Sequence, residues 1–561
     1  MELIGAAAQT PAPSDFTLSG AAAKWLSLFI CITITFQAIL IFLQPVNWDE
    51  FRFLADIHQH RQGTLGPWLQ TLHVHFFSWA VNVPGGEVSQ VIAGRCLILL
   101  FECVTIAAIF VAARAFVARE EALFAVLSYL AFSYVVRHGA SFRYDPIATA
   151  LLMSALALIL WHRISLTRAC IAAACTALAA LVTVKAVFYL PALALAAIWR
   201  LAESQDSKAD LVRIGIAAGA GAATFAIVAI LHRLTLAAPD AETAQRVVGH
   251  GFLKTIAEAG LLPRLDAILS SLVMDALIWI LIGLGLAKAI AALRSARRAD
   301  PRLLALLGLT LPLATLFFYR NAFPYYFAFI LAPATILAGF ALAGRDRLAV
   351  SAGAALVLLA GIHAATAPSP TLAVQRAHVD AVHRMFPQPV PYIDRASMIA
   401  SFPKQGFFMS SWGVENYRDA GRPALREAVI STAPPLVIAN APALQAAFAG
   451  DRSPLLPEDV QALRDSYIHH WGFLWVAGKH LQAVPEASVF YLSIPGIYTI
   501  EGGGPVLIDH RTHRPGETVA LSRGRHSVQS LSGEVDFTLR YGDNLFSPAV
   551  PPPSGPIFGD L

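Results

Sequence analysis

The chain has 561 residues, 56% of them hydrophobic and only 14% charged, with a mean hydropathy of +0.59. Soluble proteins average roughly 25% charged residues, so this deficit excludes an ordinary soluble enzyme and points to an integral membrane protein. A formal net charge of +4 is small for the length and gives no reason to expect nucleic acid as a partner.

Residues 1–24 lack a basic leader, and the apolar run after Lys24 is as long as a full span. They are expected to be a cytoplasmic N-terminal segment rather than a cleavable signal. Apolar stretches of spanning length follow near 25–43, 91–113, 121–136, 145–161, 169–184, 186–199, 212–232, 267–288, 303–319, 325–343 and 348–366. The fold class expected is therefore an α-helical polytopic membrane protein, with about 11 transmembrane helices over residues 25–366. All five cysteines (Cys31, Cys96, Cys103, Cys170, Cys175) lie inside these runs and read as small buried hydrophobes. Basic residues such as Lys24, Arg114, Arg119, Arg163, Arg200, Lys288 and the run Arg294 to Arg302 fall on one set of loops. The positive-inside rule makes that side cytoplasmic, and an odd number of spans then puts the C-terminal part outside.

The first outer loop, 44–90, is too long for a simple connector, and Ile57 to Trp79 reads as amphipathic helices in the interface plane. Further outer loops lie at Arg137 to Tyr144, at Thr183 to Lys185, at Arg233 to Asp266 and at Tyr319 to Tyr326. After Ala367 the composition becomes that of a soluble region. Residues 367–484 read as an α/β module, with short apolar runs at Gly406 to Met409, Pro435 to Ala439 and Leu474 to Val476 and a helical stretch at Glu458 to His469. Residues 485–546 alternate as strands, notably Val489 to Ile494 and Val535 to Leu539, and 547–561 form a Pro-rich, unpacked tail.

The chemistry concentrates on the outer side. Asp49 and Glu50 stand together just past the first span, where acids are costly unless they face water, a partner or a substrate. Asp145 precedes Pro146, a natural first-turn residue, so helix capping is its plain explanation; it leaves Arg137, His138 and Arg143 beside it unaccounted for. Lys185 sits between apolar flanks, where snorkelling is the simple alternative, and Arg320 lies among Tyr319, Tyr325 and Tyr326, which an interface belt alone would explain. Together, acids and cations on one membrane face suit a phosphate-bearing lipid and a proton-accepting step.

The Trp48-Asp49-Glu50 turn after the first span, Arg95 in the second, and the Arg143-Tyr144-Asp145-Pro146 turn before the fourth resemble the pattern of GT-C superfamily glycosyltransferases. The nearest resemblance is to protein O-mannosyltransferase-like enzymes and to the lipid A aminoarabinose and rhizobial galacturonosyl transferases. The resemblance implies transfer of a sugar from a polyprenyl-phosphate donor to an envelope glycolipid, lipopolysaccharide core or lipid A, at the periplasmic face of a bacterial inner membrane. Membrane lipids surround the site, and a protein acceptor is the alternative.

On that reading Asp49 is the general base, Glu50 orients the acceptor or supports Asp49, and Asp145 holds an arginine or a sugar hydroxyl. Arg143, Lys185 and Arg320, with Arg137 behind them, meet the donor phosphate; Arg95, His73, Tyr325 and Tyr326 are further substrate contacts. The lipid A enzymes often carry Lys-Pro-Pro in the first loop, where this chain reads Leu69-Gln70-Thr71-Leu72-His73. His58-x-His60 and His73-x-His75 leave a divalent metal open without requiring one, since i and i+2 side chains diverge on a helix. His469 and His470 beside Trp471 read as structural. A transporter or flippase of lipid-linked sugars would instead show charges near span midpoints and discontinuous helices in matching halves.

Overall fold

A computed structural model describes residues 20–237, 260–296, 298–367, 369–531 and 533–559. The first 19 residues, Arg297 and much of the outer loop expected between Arg233 and Asp266 lie outside the described residues. The chain divides into two compact units. One comprises Met1–Phe42, Gly66–His73 and Arg95–Ala367; the other comprises Leu43–Leu65, Val74–Gly94 and Pro368–Leu561.

The first unit is helical. Among the described residues six helices are long and apolar enough to cross a membrane: Ala21–Leu43, Gly86–Ala113, Val184–Ala202, Ser207–Arg233, Ala276–Ser295 and Asp346–Ala365. Asp145–Leu160, Leu166–Val182, Leu265–Met274 and Tyr326–Ala341 are shorter apolar helices. This is a multi-pass membrane protein. Several expected spans are broken rather than continuous. The third divides into Arg119–Leu130 and Ser133–His138, and the eighth breaks at Asp275. The ninth passes from an α-helix, Pro301–Gly308, into a 3-10 helix over Leu311–Phe317, where Pro312 lacks the N–H an α-helix needs.

Tyr326–Ala341 is apolar on all sides and buried almost throughout, as a central helix of a bundle must be. Ala276–Ser295 packs so closely on it that a Cβ at Gly285 would overlap the Leu337 carbonyl oxygen, which explains the glycine. The cysteines depart from expectation. Cys31 and Cys96 are exposed and the other three half-buried, on the faces of apolar helices that a bilayer would cover.

In the second unit the first-loop segment forms a helix over Trp48–Arg61, then short turns of helix at His73–Phe77 and Ala80–Asn82. The expected amphipathic helix from Ile57 to Trp79 is therefore replaced by one that starts nine residues earlier. Asn47 supplies its cap, and the residues from Glu50 to His58 are largely buried rather than laid on an interface.

The C-terminal strands are β1 (Tyr392–Ile393), β2 (Lys404–Gln405), β3 (Leu436–Ile438), β4 (Tyr467–Trp471), β5 (Leu474–Ala483), β6 (Ser488–Leu492), β7 (Gly496–Gly502), β8 (Val506–Ile508), β9 (Arg511–His513), β10 (Thr518–Leu521), β11 (Gly524–Ser530) and β12 (Val535–Tyr541). One sheet runs β10-β7-β12-β5-β3-β1-β2, with β4 also on β5; the other runs β6-β11-β8-β9. Pairing is parallel only within β2-β1-β3. Helices such as Ala424–Ser431 and Pro457–Ser466 share a core with that part through Leu425, Val437, Leu463 and Ala477. Within the Pro-rich tail the stretch from Ala549 to Pro556 is exposed, and Ile557 and Phe558 are buried, at 2% and 8% exposed.

Candidate functional site

Asp145 opens the helix Asp145–Leu160, with Pro146 in its first turn, but its carboxylate does not cap the backbone. Instead its Oδ1 accepts a hydrogen bond from Lys185 Nζ at 2.7 Å, and Arg143 Nε lies 3.8 Å from Oδ2. All three are buried: Asp145 is 2% exposed, Arg143 and Lys185 6% each. Lys185 does not snorkel; it is fixed by its own turn. Thr183, fully buried, accepts the Lys185 backbone N–H at 3.3 Å and starts the 3-10 helix Val184–Tyr189.

Aromatic rings complete the cluster. The Arg143 guanidinium carbon is 3.4 Å from the Tyr325 ring centroid. Lys185 Nζ stands 5.4, 5.6 and 5.5 Å from the rings of Tyr144, Tyr325 and Tyr326. The central helix Tyr326–Ala341 brings in Tyr326, with Tyr325 as its N-cap, and Tyr326 is held by a 2.9 Å hydrogen bond between its hydroxyl and Thr315. Lys185 and Arg143 both lie against the Asp145 carboxylate, in a buried, aromatic setting. Such a place strengthens any anion contact.

The other expected residues take varied places. His73 reaches the edge of the cluster, its ring 6.4 Å from that of Tyr144. Arg320 is half-buried in the turn between the 3-10 helix Leu311–Phe317 and the central helix. Arg137 donates to Thr366 Oγ1 at 3.2 Å. Arg95, buried, donates to the Ile41 carbonyl at 3.2 Å and so closes the last turn of Ala21–Leu43, a helix-end role.

In the second unit, Asp49 and Glu50 occupy the first turn of Trp48–Arg61. Glu50 is 1% exposed, and its burial has a local cause: its Oε2 accepts the Asn47 N–H at 2.8 Å while Asn47 Oδ1 accepts the Asp49 N–H at 2.9 Å, part of a capping box. Asp49 is half-buried beside it. Both acids also sit where a helix dipole favours negative charge.

The histidine pairs do not gather as a metal site. His58 bonds Gln90 Oε1 at 2.9 Å, and the His60 ring meets that of His75 edge-on at 4.9 Å. Among the described residues no group of three His, Cys, Asp or Glu is placed to hold a metal. His469 and His470 bond the carbonyls of Gly472 and Phe546, each at 3.0 Å.

One network in this unit escapes sequence reading. Glu87, buried at the head of Gly86–Ala113, takes His383 Nε2 at 2.8 Å on one oxygen and Ser401 Oγ at 2.7 Å on the other. That hydrogen bond raises the pKa of His383 above 6.5. Glu87 and its partners are about 300 residues apart, so no local motif announces them.

No family model and no curated protein matches the sequence. Among solved structures, the chain is similar to the crystal structure of ArnT from Cupriavidus metallidurans bound to undecaprenyl phosphate, with TM-score 0.53 and 13% identity over 77% of this chain and 96% of that one. An Archaeoglobus fulgidus oligosaccharyltransferase tethered to an acceptor peptide matches at TM-score 0.46 and 13% identity, over 80% of this chain and 72% of its own. The first of these shares its fold with this chain.

Proposed function

We propose that this chain is a glycosyltransferase moving a sugar from a polyprenyl-phosphate donor to an envelope acceptor, lipopolysaccharide core or lipid A, on the periplasmic side of an inner membrane. The observation that carries the reading is the buried Asp145, Lys185 and Arg143 cluster under Tyr325 and Tyr326. A desolvated lysine and arginine sharing one carboxylate are built to meet an anion. The structural neighbour bound to undecaprenyl phosphate supports a lipid phosphate as that anion.

A phosphate leaving group is already a stable anion, so the chemistry asks for electrostatic stabilisation rather than a strong general acid. Lys185 and Arg143 supply it, and Asp145 keeps both cations oriented. Arg320 adds a contact to the phosphate, and Arg137 lies behind. Tyr325, Tyr326 and His73 line the sugar or lipid path.

Asp49 is assigned the other half of the reaction, taking the proton from the acceptor hydroxyl as it attacks. Glu50 supports Asp49 by closing the cap of the same turn. Envelope glycans of a deletion strain, compared by mass spectrometry with those of strains complemented by wild type and by Asp49→Asn, test the reading. A residue mass missing from the deletion strain names the sugar, and the molecule lacking it names the acceptor. Full product from Asp49→Asn would defeat the assignment of the base, and loss from a protein would move the acceptor class.

A further inference from the structure

The turn that carries Asp49 is gripped by side chains from distant parts of its own unit. Gln375, wholly buried, commits its entire amide to the task. The Val46 N–H donates to its Oε1 at 2.8 Å, and its Nε2 donates to the carbonyls of Val46 at 2.7 Å and Ile557 at 3.0 Å. Two residues further on, the Arg395 guanidinium carbon lies 3.6 Å from the Trp48 ring centroid. Phe558 meets Trp48 and Phe51 edge-on, at 6.1 Å each, and its ring lies 6.0 Å from the same guanidinium. Asp49 is thus bracketed in sequence by Trp48 and Phe51, both held from outside the helix.

Arg395 is itself rigidly placed. It follows β1, the central strand of the parallel trio; the chain leaves β1 for β2 on one side, whereas it leaves the neighbouring β3 toward β4 and β5 on the other. Its N–H donates to Asn440 Oδ1 at 2.8 Å, and its carbonyl accepts the Met409 N–H at 3.0 Å. Asn440 in turn donates to the buried Asp394 at 3.2 Å, which also takes the N–H groups of Ser397 and Met398. In open parallel sheets the carboxyl ends of strands at such a reversal are the place where ligands settle. Here the place is taken by Trp48.

We propose that Gln375, Arg395 and Phe558 form a positioning clamp for Asp49, so that Arg395 and Phe558 are needed for turnover and not for donor binding. This rests on the reading of Asp49 as the base. A misplacement of about 1 Å costs on the order of 100-fold in rate, so a modest loosening of the turn is enough to be seen.

The full-length chain is tested as Phe558→Ala, Arg395→Lys and Phe558→Tyr, alongside Asp49→Asn. Each is read by product in a complemented deletion strain, by binding of undecaprenyl phosphate to purified protein, and by hydrogen exchange of the 48–51 amides. Phe558→Ala and Arg395→Lys are expected to lose tenfold or more in product with lipid binding within twofold, Phe558→Ala to speed exchange, and Phe558→Tyr to restore turnover. Turnover within twofold of wild type in Phe558→Ala and Arg395→Lys, with Asp49→Asn inactive, overturns the clamp and leaves the base standing. Lipid binding lost together with product also overturns it, since that is general collapse. An active Asp49→Asn removes the base and the clamp with it.

Discussion

Replacing Lys185 by Met tests whether the lysine is a buried ion-pair partner or a snorkelling side chain. At 2.7 Å, with an effective dielectric of about 20, the Lys185–Asp145 attraction is about 6 kcal/mol, and Arg143 at 3.8 Å adds about 4 kcal/mol. Desolvation of each ion costs several kcal/mol, so the intact cluster contributes little net stability. Taking out one partner is different. Lys185→Met leaves a carboxylate that is 2% exposed, with Oδ2 lacking a hydrogen bond and Arg143 its longer-range neighbour. The cost should be about 3 kcal/mol, at the low end of the range for a broken buried pair because Arg143 still offsets part of the charge.

The double variant Asp145→Asn with Lys185→Met removes the stranded charge and should recover most of that loss. Chemical unfolding of the purified chain in mixed micelles measures both. A single variant within about 1 kcal/mol of wild type, or a double variant as unstable as the two singles summed, would refute the paired arrangement. Although folded, the double variant should bind undecaprenyl phosphate at least tenfold more weakly, which separates the stabilising role of Asp145 from the phosphate-binding role of Lys185.

Asp49→Asn should abolish product while the purified protein elutes and unfolds as wild type does; retained product counts against the base. Glu50→Gln keeps an oxygen for the Asn47 N–H and should hold product within a few-fold, whereas Glu50→Ala should destabilise the chain by about 1 kcal/mol through the lost cap. A Glu50→Gln variant as inactive as Asp49→Asn would give the Glu50 charge a direct role. His383 gains affinity for its proton on folding, through its hydrogen bond to Glu87 and the nearby Asp380 charge. Its contribution is therefore complete below pH 6.5 and fades as pH rises through the elevated folded pKa. Unfolding followed across that window should show stability falling with pH, and His383→Gln should flatten the slope; an unchanged slope in that variant refutes the linkage.

How much of this was legible depends on the distance over which each feature is written. Short patterns placed several strands: the alternating Val535 to Leu539 lies within β12, and the apolar runs Leu474 to Val476 and Pro435 to Ala439 fall on β5 and β3, whereas Gly406 to Met409 forms no strand and Glu458 to His469 passes from a helix into β4. Hydropathy placed apolar helices but not their breaks. An apolar run looks the same whether it continues as an α-helix or tightens into a 3-10 turn after Pro312, or parts at Asp275. Lys185 could not be told from a snorkelling lysine because its partner lies 40 residues away. Gln375 and Phe558 are single residues without local pattern, and the Gln375 contact to Val46 spans 329 positions.

The acid pair carries a signal written over four residues. Asn47-Trp48-Asp49-Glu50 is a capping-box spacing, with Asn at the cap and Glu three residues on, and it accounts for a buried Glu50 without any chemistry. The cap makes no such demand at position 49. There the backbone N–H serves Asn47, and the side chain belongs to no part of the box. A capping box alone would be satisfied by many residues at its second helical position. The box gives Glu50 a structural role and fixes the first turn of the helix from within, while Gln375, Arg395 and Phe558 hold the same turn from outside; the proposed base, Asp49, is carried on a turn held from both directions.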